Sequence, residues 1–234
     1  MRTIVIGDVH GCYEEALELL DAVAASASDR IVFAGDLVDR GPKPRECVEL
    51  AMKHEAILGN HEEKHLNQRL SPDAKLSPEH LRTRRALADE HYEYFVKLPL
   101  FIELPEHRAT IVHAGAMPGI QIAKQDSYHL LHAQCVKPPA RKSYWPSKAP
   151  SDHTFWTNHW RGPERLIFGH TVLDRALITD HAVGIDTGCC HGRTLTAVVL
   201  PGWTLVSIPS RQPADPARSS IGAYRVHGDV HAFS

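Results

Sequence analysis

Thr3-Ile4-Val5-Ile6-Gly7-Asp8-Val9-His10-Gly11 is the stretch that decides how this chain is read. Three successive apolar, β-branched residues have no polar face, which suits a strand covered on both sides, and the run ends at a glycine followed by an acid and an imidazole. The pattern recurs as Arg30-Ile31-Val32-Phe33-Ala34-Gly35-Asp36, Ala56-Ile57-Leu58-Gly59-Asn60-His61, Thr110-Ile111-Val112-His113-Ala114-Gly115 and Leu166-Ile167-Phe168-Gly169-His170. Ala182-Val183-Gly184-Ile185-Asp186 and Thr194 to Leu200 read as a final pair of strands, with Trp203 to Ile208 as an edge strand.

Helical patterns separate the early copies. Tyr13 to Ala24 places Ala16, Leu17, Leu20 and Val23 on one face. Pro44 to Lys53 reads as a second helix with proline near its start. Glu62 to Leu98 is polar and reads as two helices, Ser77-Pro78-Glu79 supplying an N-cap with proline behind it. Strands alternating with helices predict a layered α/β fold.

Composition narrows the class. The 234 residues suffice for one domain with a substantial core. A formal net charge of -2 argues against an extended nucleic-acid surface. No apolar run approaches the roughly 20 residues of a membrane span. The five cysteines form no C-x-x-C pair, which disfavours a structural zinc cage and points to buried thiols in a reducing, cytoplasmic setting. Histidine, at 17 residues, is the outlier; most are expected on the surface or in satisfied core positions. Ile120 to Ser151 holds Pro138-Pro139, Pro146 and Pro150 among basic residues, and is expected to form a cap or lid within 120–155. Residues 1–210 read as the catalytic domain and 211–234 as a loosely packed tail.

In open α/β sheets ligands bind at the carboxyl ends of strands. Five strand ends here deliver Asp8 and His10, Asp36, Asn60 and His61, His113, and His170, a mixture of oxygen and nitrogen donors. Singly, Gly-Asp or Gly-Asn after a strand is most often a turn. Jointly they suit a two-metal centre, in which ions about 3.5–4 Å apart clamp the attacking and leaving oxygens of an in-line displacement at phosphorus. Imidazole in the set favours Mn, Fe or Zn over Mg or Ca. A histidine beside the site is the natural proton donor to the leaving oxygen.

Gly7-Asp8-Val9-His10-Gly11, Gly35-Asp36-Leu37-Val38-Asp39-Arg40-Gly41, Gly59-Asn60-His61-Glu62, His113-Ala114-Gly115 and Gly169-His170-Thr171 together resemble the calcineurin-like metallophosphoesterases of the phosphoprotein-phosphatase branch. The resemblance implies a four-layer αββα sandwich, with two central mixed β-sheets flanked by helices. It further implies two divalent ions, Mn2+ in the first instance and Fe, Zn, Co or Ni as alternatives. Asp8 and His10 would bind the first ion, Asp36 would bridge, and Asn60, His113 and His170 would complete the second. His61 would protonate the leaving group, Asp39 would orient and charge-stabilise His61, and Arg40 would grip phosphate by a forked contact. Arg161 is a further candidate for phosphate, balanced against an exposed arginine in a turn before Gly162.

The C-terminal third is similar to two bacterial groups, the PrpE-type diadenosine tetraphosphate hydrolases and the phosphatase module of polynucleotide kinase-phosphatase. The stretches concerned are Trp156-Thr157-Asn158-His159-Trp160-Arg161-Gly162, Ile185-Asp186-Thr187-Gly188-Cys189 and Leu195-Thr196-Ala197. Val172, His191 and Arg193 depart from the family pattern near the rim. The leading expectation is hydrolysis of dinucleoside polyphosphates such as diadenosine tetraphosphate. The alternatives are a phosphomonoesterase acting on phosphoproteins or on nucleotide or polynucleotide ends and, from another class, a non-catalytic metal-binding scaffold. A dinucleotide calls for a base-stacking surface. Trp145, Trp156 and Trp160 are candidates for it, although core or lid packing is the commoner use of such residues.

Overall fold

The computed structural model describes residues 1–71 and 76–215. Two five-stranded mixed sheets form its centre. The first has the order β12-β11-β1-β2-β3, from β1 (Thr3–Ile6), β2 (Arg30–Phe33), β3 (Glu55–Ala56), β11 (Thr194–Leu200) and β12 (Thr204–Pro209). The second has the order β4-β5-β8-β10-β9, from β4 (Phe101–Leu104), β5 (Ala109–Val112), β8 (Arg165–Phe168), β9 (Leu177–Ile178) and β10 (Ala182–Gly184). β1, β2 and β3 run parallel in one sheet, as do β5, β8 and β10 in the other. Within each sheet these three strands therefore point their carboxyl ends the same way.

Alternating side chains explain the layers. In β1, Val5 enters a core shared by both sheets with Val32, Ile111, Ile167, Val183 and Val198. Its neighbours Ile4 and Ile6 face outward, onto Leu19 of α1 (Tyr13–Ala22), Val48 of α2 (Pro44–Ala51) and Phe95 of α5 (Asp89–Lys97). The second sheet's outer face is covered differently. Val112, Leu166 and Phe168 pack on Leu130 of the short helix α6 (Ser127–His132) and on Phe155, Trp156 and Trp160. The helical layer expected there is thus mostly aromatic loop, with a ribbon of β6 (Cys135–Val136) and β7 (Thr154–Phe155).

Among the described residues the region from Glu62 to Leu98 holds three helices rather than two: α3 (Asn60–Leu70), α4 (Pro78–Ala86) and α5. The break comes at Leu87 and Ala88, which are extended, and the Ala88 N–H donates to Nδ1 of His91 to start α5. Ser77 stands at the N-cap of α4, but its hydroxyl contacts the His80 ring rather than the helix backbone. Residues 211–215 are tied down, Arg211 N–H and Gln212 Nε2 both donating to Glu15 on α1, and the rest of the expected tail lies outside the described residues. Among the described residues no helix is long and apolar enough to cross a membrane.

Candidate metal centre and proton donor

The strand ends deliver their donors to one buried place. β1 runs into Asp8 and His10, β2 into Asp36, β3 into Asn60, β5 into His113 and β8 into His170. Asp8, His10, Asp36 and His113 are buried, and Asn60 and His170 half-buried. Gly169 allows the two sheets to meet here: a Cβ on it would lie 1.9 Å from Oδ1 of Asp8. Replacing Gly169 with Ala should push the Asp8 carboxylate aside and weaken metal binding roughly 10–100-fold, the range known for disturbed support of metal ligands. Titration calorimetry with Mn2+ would show it, and unchanged affinity would mean that Asp8 is not a ligand.

Asp36 is placed to bridge. Its Oδ2 lies 3.3 Å from Nε2 of His10, and its Oδ1 lies 3.3 Å from Nε2 of His113. The other nitrogen of each ring is committed to a carbonyl: His10 Nδ1 donates to Val38 at 2.7 Å and His113 Nδ1 to Ala34 at 2.9 Å. Those bonds fix the tautomers, so both Nε2 atoms turn lone pairs toward carboxylate oxygens. Burial drives the pKa of His10 well down, that of His113 down and that of His170 well down, which favours the neutral ring, while the Asp36 charge pulls each of them the other way. Neutral imidazoles and carboxylates converging through their lone pairs are arranged for cations. Asn60 Oδ1 completes the second group, 2.9 Å from His113 Nε2 and 2.8 Å from His170 Nδ1.

Charge points the same way. Burial, and repulsion from Asp186 and Asp36, push the Asp8 carboxyl well above its usual range. Burial acts upward on Asp36 too, but four imidazoles, led by His113 and His61, outweigh it and hold Asp36 far down. The N-terminus of α3 helps, its His61 N–H donating to Asp36 Oδ1 at 3.0 Å. Asp8 Oδ1 and His170 Nε2 are buried without a hydrogen-bond partner. Orphaned donor atoms of this kind fit a pair of divalent ions.

A second layer surrounds His61. Its Nδ1 is 2.7 Å from Asp39 Oδ2, and His65 Nε2 is 2.8 Å from Asp39 Oδ1. Burial alone would raise Asp39, yet hydrogen bonds from His61 and His65 hold it low. His80 stacks on His61 with ring centroids 5.9 Å apart. Nε2 of His61 is left facing the guanidinium of Arg40, 3.3 Å from Nη2, while Arg40 Nη1 donates to His10 Nε2 at 2.8 Å. Backbone strain concentrates here. Eight non-glycine residues have positive φ among those described, and five belong to the site: His10 (42°), Asp36 (49°), Asp39 (68°), Arg40 (61°) and His170 (63°).

Two functional neighbours were missed in the sequence. Glu62 is fully buried and accepts four backbone N–H bonds: Leu37 and Val38 on Oε1, Asp36 and Gly59 on Oε2. It ties the loop carrying Asp36 to the one carrying Asn60. Burial and the charge of Asp36 push its carboxyl upward, while the N–H groups bonded to both of its oxygens favour the ionised form. Asp186, beyond β10, is the sixth acidic or imidazole strand end; burial raises it to about 6, and its charge acts on Asp8, Asp36 and Arg40. Its signal was the same apolar run ending in an acid.

The structure does not bring Arg161 to this cluster. Its guanidinium donates to the carbonyl of Trp160, and it lines a separate cavity of about 810 Å³ with Arg108 and Thr110, at the starting end of β5. His113 stands at the other end of that strand. Trp156 and Trp160 are core residues; Trp145 is 53% exposed, its ring 5.6 Å from that of His170.

Residues 1–174 match a family profile described as calcineurin-like phosphoesterase. The chain is 31% identical to the bis(5'-nucleosyl)-tetraphosphatase PrpE [asymmetrical] of Halalkalibacterium halodurans, over 91% of this chain and 96% of the relative. It is 29% identical to the protein of the same name from Oceanobacillus iheyensis, over 91% and 94%. A crystal structure provisionally assigned as a diadenosine tetraphosphatase superposes with a TM-score of 0.75 at 29% identity, covering 89% of this chain and 93% of that one. A Saccharomyces cerevisiae protein serine/threonine phosphatase shares the fold at a TM-score of 0.57 and 16% identity. Strand ends converging on a shared carboxylate and a match over most of the length agree: this chain belongs to the calcineurin-like phosphoesterases, metal-dependent hydrolases with a dinuclear centre.

Proposed function

We propose that the protein hydrolyses dinucleoside polyphosphates, with diadenosine tetraphosphate as the simplest substrate, cutting it asymmetrically into a nucleoside triphosphate and a nucleoside monophosphate. The observation that carries the chemistry is Asp36, each of whose oxygens faces a different imidazole. The substrate and the asymmetry rest on the names of relatives aligned over 91% of the chain.

In this reading Asp8, His10 and Asp36 hold one ion, and Asp36, Asn60, His113 and His170 the other, Mn2+ being favoured by the imidazole-rich set. When bound, the pair supplies charge neutralisation at the phosphoryl group and a nucleophile available near neutral pH. The chain's own residues do the rest. Arg40 presents two N–H donors to a non-bridging phosphate oxygen. As the new P–O bond forms and the old one breaks, His61 gives its Nε2 proton to the departing oxygen while Asp39 holds Nδ1. Residues 1–210 serve as the catalytic domain, with 120–155 bordering its mouth. The five free thiols suit a cytoplasmic setting.

A competition panel tests the substrate. Manganese-loaded enzyme would receive diadenosine tetraphosphate, ATP, a nucleoside monophosphate and a phosphopeptide together, with products read by mass spectrometry. The dinucleotide should disappear first, giving equimolar ATP and AMP. Prior consumption of the monophosphate or the phosphopeptide would replace this reading with a phosphomonoesterase.

A further inference from the structure

Large aromatic side chains offer a flat face on which another ring can stack. Two of them flank the donor cluster. Trp145 is 53% exposed and Tyr128 is 54% exposed, whereas Trp156 and Trp160 are fully packed in the core. The exposed pair is not scattered. Trp145 lies 5.6 Å from the His170 ring, and Tyr128 lies 4.8 Å from the His132 ring, which is itself 6.1 Å from His170. His132 is fixed by Glu63, 3.0 Å away. A row of rings, Tyr128–His132–His170–Trp145, therefore leads from the second group of metal donors out to solvent.

Trp145 is also held in place. The residue before it, Tyr144, exchanges two backbone hydrogen bonds with Cys135, the N–H of each donating to the carbonyl of the other at 2.9 and 3.0 Å. Behind it, Pro146–Lys148 forms a 3₁₀ turn whose Lys148 N–H returns to the Trp145 carbonyl. The Tyr144 ring is gripped by His153, 5.0 Å away edge-on, and by Lys142 from 4.9 Å. The backbone is anchored on both sides while the indole stays open, which is the build of a platform rather than of a loose loop.

We propose that Trp145 is the stacking platform for a nucleobase of the substrate, placed so that the phosphate chain attached to that base runs toward His170 and Asn60. This rests on the dinucleotide reading above. A flat aromatic ligand matches the exposed indole, and stacking discriminates poorly among bases, so purine and pyrimidine dinucleotides should both be accepted. It also gives the 120–155 segment a role in substrate choice.

The test compares substrates with and without a base. Trp145→Ala should raise KM for diadenosine tetraphosphate roughly 10-fold, within the range of one lost base–aromatic stack, and leave KM for inorganic tripolyphosphate unchanged. Trp145→Phe should recover most of the loss. A second readout avoids turnover: in manganese-loaded protein, a non-hydrolysable diadenosine polyphosphate should quench the indole fluorescence of the wild type and not that of Trp145→Ala. Equal losses on both substrates, no change in KM, or identical quenching in the two proteins would overturn the platform. If the wild type quenches on binding but leaves diadenosine tetraphosphate intact, the platform stands and the substrate reading falls.

Discussion

Replacing His61 with Ala should leave the metal content intact and lower kcat roughly 10²–10⁴-fold, the usual worth of a positioned proton donor. The expectation is sharper than the number. His61 lies close enough to His10 and Asp36 to be a candidate ligand itself. Its ring, however, is committed through Nδ1 to Asp39, supported from behind by His65 and His80, and its Nε2 shares space with Arg40. A proton donor and a ligand fail differently. If His61 donates, the variant binds two equivalents of Mn2+, and its deficit shrinks on a nitrophenyl ester, whose leaving group departs without a proton. If the variant holds one equivalent or less, His61 belongs among the ligands and another group must protonate the leaving oxygen.

The second large effect concerns folding. Glu62→Gln removes a single oxygen, yet it turns one end of the side chain from acceptor to donor. Two of the four N–H groups now held by Glu62 would face an NH₂ instead of an oxygen. Each buried donor so orphaned costs about 1–3 kcal/mol. The sum, roughly 4 kcal/mol, is a large part of the 5–15 kcal/mol that holds a typical domain together. For a chain of this size that corresponds to a fall in Tm of about 8–16 °C. The loop holding Asp36 should loosen as well, lowering Mn2+ affinity in protein that remains folded. A thermal scan within 2 °C of wild type would show that Glu62 does not brace the two loops.

How much of this was legible beforehand depends on the distance over which each contact acts. The proposed metal donors were legible as a group because each follows its own strand: Asp8, Asp36 and His170 come directly after a glycine that ends an apolar run, so chemistry and signal share one short window. Asp186 carried the same signal and was passed over because no family motif made its carboxylate a ligand. Glu62 was quoted within a motif but given no role; three of its four partners lie 24 to 26 residues away, and no local pattern reveals an acceptor shared among distant N–H groups. Arg161 is the opposite case. Its motif is local, but the turn leaves it at the starting end of β5. The break at Leu87 and Ala88 was hidden because the cap that starts α5 comes from a histidine side chain rather than from Ser, Thr, Asp or Asn. The layer outside the second sheet combines the short helix α6 with aromatic loop, and the loop has no periodicity to read.

The five left-handed residues at the centre bear on how this protein can be improved. Non-glycine residues in that conformation cost of order 1–3 kcal/mol each, and here the cost falls on His10, Asp36, Asp39, Arg40 and His170 together. Glycine would relax the backbone at every one of them and delete a side chain to which the proposed mechanism gives a role. Directed evolution scored only by survival of heating is therefore drawn toward the same five codons that a screen for turnover must protect. The hardiest descendants of this sequence will be inactive unless both selections are applied at once.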